Sequence, residues 1–258
     1  MKIRNVISAF SILLIIVAIA GLGYGTLRYI PEDASLNDTN ELIQSHMIKA
    51  QEAAGAAGEE AAKVKTIRAE YVVDIKGLKE ENEDVTAYLN IPDTKISYPV
   101  MESEEANFYL NHDFFNKKSI YGCIFKDTSS DGNEHATLLH GHNMKNKTMF
   151  GSLKYYLDKD YVEAHDLIEY TTETQYSIYK VAAVFTGSTA DDTLMSCLLP
   201  YREKDIDTLK EKIKKSGTLY EDFTWNDKLL ILSTCHGKKK TSRLLLVAKR
   251  MDYCEIER

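Results

Sequence analysis

Cysteine is scarce in this chain: four residues in 258, at Cys123, Cys197, Cys235 and Cys254. That is too few for a disulfide scaffold in a domain of this size, and no two stand at Cys-x-x-Cys spacing. Excess positive charge is also lacking. With 32 Lys and Arg against 39 Asp and Glu, the formal net charge is −7, so no nucleic-acid partner is expected. The chain has no His-Glu-x-x-His run and no second histidine pair besides His140 and His142. A metal site therefore has no obvious frame, and no metal is expected. No internal repeat and no sustained heptad appears, which argues against a solenoid or a coiled coil.

What the chain does have begins at its N-terminus. Lys2 and Arg4 precede a run from Val6 to Leu27 without a charged residue, about 22 residues, enough to cross a hydrocarbon core at about 1.5 Å per residue. A cleaved signal peptide is the alternative, with Ala18-Ile19-Ala20 as a small-residue cleavage site. The length favours an uncleaved anchor over residues 1–30. The charge bias puts its N-terminus in the cytoplasm and the rest of the chain on the extracellular face of the membrane. Residues 31–74, rich in Ala, Glu, Gln and Lys, read as a partly helical spacer. Residues 75–258 read as the working domain.

In that domain Asp84–Leu89 suggests a helical turn before the Asn90-Ile91-Pro92-Asp93 turn signal. Strands are expected at 95–100, 122–126, 136–140, 167–170, 177–185, 228–233 and 243–249. Helical patterns stand at 149–157 and at 204–215, where Ile206, Leu209 and Ile213 recur at three and four. Seven or more strands with few helices indicate a mainly β fold, a closed barrel or a sandwich.

The chemistry gathers at Cys235. Leu230-Ile231-Leu232-Ser233-Thr234-Cys235 turns from apolar to polar at its end, where a cysteine becomes accessible. Eight residues on, Arg243 opens Arg243-Leu244-Leu245-Leu246-Val247-Ala248. If the two runs form a hairpin, the thiol lies beside a guanidinium with five N–H donors. About a hundred residues upstream, His140-Gly141-His142-Asn143 offers a histidine to share a proton with the thiol. His142 is the preferred candidate, with His140 as its rival on the same strand face. Arg243 would bind a carbonyl oxygen as it becomes an oxyanion, or hold a substrate backbone.

These residues resemble a known family. Ile231-Leu232-Ser233-Thr234-Cys235 is similar to the sortase nucleophile signature Thr-Leu-x-Thr-Cys. Gly141-His142-Asn143-Met144 with Asn146-Lys147-Thr148-Met149-Phe150-Gly151 resembles the histidine segment of class B sortases. So do Tyr98-Pro99-Val100, Tyr109-Leu110-Asn111 and Gly122-Cys123-Ile124-Phe125-Lys126-Asp127. The resemblance runs from about Asp84 to about Lys249. It implies a closed eight-stranded β-barrel with an N-terminal helix and an extra helix in the connection before the catalytic strands. It also implies a membrane-anchored cysteine transpeptidase of the Gram-positive surface. In that scheme Cys235 cleaves a C-terminal sorting signal of the Asn-Pro-x-Thr-x type after threonine, His142 moves the proton, Arg243 steadies the oxyanion, and no metal or organic cofactor enters the chemistry. Leu110, Ser233 and Thr234 fall where the family lines its substrate groove. The implied partners are signal-bearing surface proteins, the amine of a lipid II-type peptidoglycan precursor, and the membrane through the N-terminal helix. A pilin polymerase using a pilin lysine, or an inactive binding protein on the same fold, is the alternative. Where class B members often carry an acidic residue after the cysteine, this chain has His236.

Overall fold

Strands in the second half of the chain are long and apolar enough to be buried on both faces, and their pairing closes the sheet on itself. The computed structural model describes residues 33–49 and 71–256, and the chain divides into two compact units, Met1–Leu42 and Ile43–Arg258. The first is helical over its described residues, 33–42.

In the second unit the strands are β1 (Met47–Lys49), β2 (Tyr71–Val73), β3 (Val85–Asn90), β4 (Ser97–Met101), β5 (Ile124–Lys126) and β6 (Ala136–His140), followed by β7 (Leu167–Thr172), β8 (Gln175–Ser188), β9 (Gly217–Leu219), β10 (Leu229–Cys235) and β11 (Ser242–Glu255). The α-helices are α1 (Ile75–Glu81), α2 (Lys159–Ala164), α3 (Asp192–Leu198) and α4 (Glu203–Ser216). β1 and β2 form a two-stranded ribbon. The main sheet runs β11-β10-β6-β5-β4-β3-β7-β8-β9, and β11 also pairs with β8. That second pairing, from Ser242↔Ser188 to Glu255↔Gln175, joins the ends into a closed eight-stranded barrel, with β9 appended to β8. Closure removes the exposed edges that an open sheet would present.

α4 lays Ile206, Leu209 and Ile213 on the barrel wall. They share one apolar cluster with Leu194 and Leu198 of α3 and with residues of β6, β8, β10 and β11. This is the amphipathic helix expected from the three-and-four spacing, one residue longer at each end. β10 is buried along both faces up to its last residue, which explains why it reads as a continuous apolar run.

Three expectations are corrected. The turn at 84–89 is strand β3, hydrogen-bonded to β4 on one edge and β7 on the other. Val85, Ala87 and Leu89 are fully buried at a period of two, so pairing on both edges overrides the local turn signal. The helix at 149–157 is reduced to a 3-10 segment, Leu153–Leu157, after Met149 at φ +50°. The membrane localisation is not carried by the structure. Among the described residues no helix is long and apolar enough to cross a membrane. α4, with 14 residues, falls short of the roughly 20 that a span needs, and the apolar run at 6–27 lies outside the described residues.

Candidate active site

β10 lies between two neighbours, and their registers align the candidate residues. The parallel ladder with β6 runs from Leu229↔Ala136 to Ser233↔His140. The antiparallel ladder with β11 runs from Leu229↔Lys249 to Cys235↔Arg243. Leu229 and Ile231 of β10, Ala136 and Leu138 of β6, and Leu245 and Val247 of β11 belong to the apolar cluster beneath α3 and α4. Residues two apart on a strand share a face. The same stripe therefore continues through Ser233 to Cys235 on β10, to His140 at the end of β6, and to Arg243 on β11. Cys235 is thus paired with Arg243 on β11, and His142 follows β6, the strand on the other side of β10, by two residues.

All four cysteines are free, and Cys235 alone is exposed. Burial pushes the Cys197 thiol up to about 11 and moves those of Cys123 and Cys254 upward as well. Those three groups are held as thiols inside the protein. Only Cys235 is placed to react.

His142 Nε2 lies 2.7 Å from the carbonyl oxygen of Leu110. A carbonyl only accepts, so Nε2 carries the hydrogen and Nδ1 is the nitrogen left to take up and release a proton. That carbonyl is itself held in place. Leu110 ends a 3-10 turn, Phe108–Leu110, and Cys123 N donates to Tyr109 O at 2.9 Å. Gly122, at φ +57°, lies so close that a Cβ there would be 2.4 Å from Tyr109 O and 2.7 Å from Leu110 O. Only glycine fits that approach. His140, the rival, is committed elsewhere: its Nε2 is 2.8 Å from Asp127 Oδ2, and this hydrogen bond pulls the Asp127 carboxyl down to about 2.

Arg243 donates from Nη1 to the carbonyls of Lys240, at 2.7 Å, and Ser242, at 3.1 Å, which braces its guanidinium on the hairpin connection. Of the three expected groove residues, Leu110 is 41 % exposed, whereas Ser233 and Thr234 are 3 % and 2 % exposed. The Thr234 hydroxyl donates to Gly141 O at 2.7 Å. One contributor had no signal in the sequence, the Leu110 carbonyl, because a main-chain oxygen carries no residue signature; Asn143, within the histidine segment, adds a side-chain amide that donates to Cys235 O at 2.8 Å. Among the described residues no group of three or more His, Cys, Asp or Glu could hold a metal ion.

The chain as a whole is similar to known proteins. A family model described as the sortase domain matches residues 89–251. Sortase B of Listeria monocytogenes is 32% identical over 171 residues, 64% of this chain and 68% of that protein. A Staphylococcus aureus sortase B–substrate complex superposes with a TM-score of 0.61 at 28% identity, covering 69% of this chain and 84% of that one. A sortase B complexed with triglycine superposes with a TM-score of 0.61 at 27% identity, covering 69% and 85%.

Proposed function

The chain belongs to the sortase family of cysteine transpeptidases, grouping with its class B members, and from that premise we propose that it cleaves a C-terminal sorting signal of the Asn-Pro-x-Thr-x type and transfers the carrier protein to a peptidoglycan amine. The observation that supports this reading is the pairing of the exposed Cys235 with Arg243 across β10 and β11, with His142 two residues past the end of β6 on the other side of β10.

In this reading the Cys235 thiolate attacks the carbonyl carbon of the Thr–x bond. The negative charge that develops on the oxygen meets the Arg243 guanidinium, a preorganised donor on the adjacent strand. His142, protonated on both nitrogens, keeps Nε2–H on the Leu110 carbonyl and gives its Nδ1 proton to the departing amine. The peptide bond breaks, and a thioester to Cys235 remains beside a neutral imidazole. An incoming amine then attacks the thioester and yields its proton to Nδ1. The new amide forms as the thiolate leaves, which restores the starting ion pair. Leu110 offers its exposed side chain to the signal peptide, while Ser233 and Thr234 support the nucleophile's strand from within. The solved sortase B with triglycine supports an acceptor of this kind, since a glycine peptide carries a free amine. The sortase B–substrate complex supports a peptide signal.

The test is incubation of the protein with Asn-Pro-x-Thr-x and Leu-Pro-x-Thr-Gly peptides and an amine acceptor, with products followed by mass spectrometry. Cys235→Ala is the control. Cleavage after threonine with an acyl adduct on Cys235 is expected for the first peptide type. Failure to cut either peptide by a demonstrably folded protein would overturn the proposal.

A further inference from the structure

We propose that Asn143 is a positioning residue whose side-chain amide ties the backbone of the nucleophile to the histidine loop. The inference rests on the reading of Cys235 and His142 as the reacting pair.

The ladder between β6 and β10 ends at Ser233↔His140. Beyond it the two chains are linked by Gly141 N donating to Ser233 O at 3.2 Å and by the Thr234 hydroxyl donating to Gly141 O at 2.7 Å. At the level of the cysteine the link comes from a side chain. Asn143 Nδ2 donates to Cys235 O at 2.8 Å. The orientation of the amide follows from chemistry, because the carbonyl can only accept. On the other side of the same peptide unit, His236 N donates to Ser242 O at 3.0 Å. The unit that follows the nucleophile's Cα is therefore pinned at both ends, by the hairpin and by Asn143.

Asn143 is well placed to transmit position. It follows His142 directly, its backbone bridges to Met149, and Phe150 N donates to His142 O at 3.0 Å. One braced loop thus holds both the proton carrier and the carbonyl of the nucleophile. The amide is exposed, so the bond adds little to stability. Its effect lies in geometry, where a displacement of about 1 Å lowers a rate by about 100-fold.

The decisive variant is Asn143→Asp, which keeps the shape and replaces the donor with a carboxylate facing the carbonyl. We expect kcat to fall about 10- to 100-fold with KM within about threefold of wild type and an unchanged melting temperature. Asn143→Gln, which keeps an amide donor on a longer stem, should retain more activity than Asn143→Asp. Amide hydrogen exchange over residues 233–237, which needs no substrate, should be faster in Asn143→Asp than in wild type. An Asn143→Asp enzyme within about twofold of wild-type kcat, or unchanged exchange over 233–237, would overturn the proposal. If the wild type cleaves no sorting-signal peptide, the transpeptidase reading fails, and the exchange comparison alone decides whether Asn143 clamps the strand end.

Discussion

Cys235 differs from the other cysteines in where its strand stops. The residue before it, Thr234, is 2 % exposed, and one step further the thiol reaches solvent. Of the two histidines on its flank, His142 is fixed through Nε2 by a carbonyl and His140 is bound to a carboxylate. Replacing His142 with Ala should lower transpeptidation about 100- to 10,000-fold, whereas His140→Ala should leave it within about tenfold. Steady-state kinetics with the sorting-signal peptide would check this, and the reverse order would exchange the two roles. The His140–Asp127 pair should be visible in stability instead. The Asp127 carboxyl, ordinarily at 3.8, is drawn down to about 2 by its hydrogen bond to His140. A depressed carboxylate stabilises the fold above its unfolded value, and that contribution is lost as pH falls from about 4 to about 2. Urea midpoints measured across that window should fall more steeply for wild type than for Asp127→Asn. At this scale the sequence was legible where the candidate group is a side chain. Cys235, Arg243 and the His140/His142 choice could be named as candidates from residue type and spacing. The acceptor for His142 could not, since it is a main-chain oxygen brought from 32 positions away.

Turns and helices deliver these residues to one place. The 3-10 turn at Phe108–Leu110 holds its carbonyl against His142 because Gly122 lets two backbone segments approach. Gly122→Ala forces a non-glycine residue to φ +57° and a methyl group into carbonyl oxygens. It should destabilise the protein by about 1–3 kcal/mol and lower activity along with stability, as read by urea unfolding and peptide turnover on the same preparation. α4 shows how much periodicity can and cannot reveal. Its apolar positions marked it as a surface helix, yet what it covers, the outer face of the strands that carry the site, is a matter of tertiary packing. Leu209 is fully buried there. Leu209→Ala should destabilise by about 2–5 kcal/mol while leaving KM for the signal peptide unchanged in the fraction that remains folded. β3 went unrecognised because its six residues follow a turn-like stretch and depend for their structure on β4 and β7.

At the scale of the whole molecule, the β8–β11 pairing turns a row of strands into a barrel, and the fold as a whole sorts the thiols. Three are buried and Cys235, at a strand end, is exposed. Iodoacetamide at mild pH should therefore modify one thiol in the native protein and four after denaturation, counted by intact mass. Fast native modification of a second cysteine would contradict the burial of the other three. The same closure explains why topology was only half visible beforehand. The strands announce themselves by composition, but a barrel and a sandwich use the same alternating pattern, and the choice lies in which distant strands meet.

The sequence by itself marked the candidate side chains for chemistry and the runs that must be buried, because residue type and a period of two or 3.6 are local properties. It also placed the cysteine at the end of one strand and the arginine at the start of the next. Tertiary structure decided the rest. The parallel pairing of β6 with β10 brought the loop that follows His140 beside the end of the cysteine's strand, the glycine at 122 admitted the carbonyl that orients the imidazole, and the amide of Asn143 closed the gap past the ladder. Each of these is a contact between segments far apart in the chain, whose geometry exists only once the barrel has closed around them.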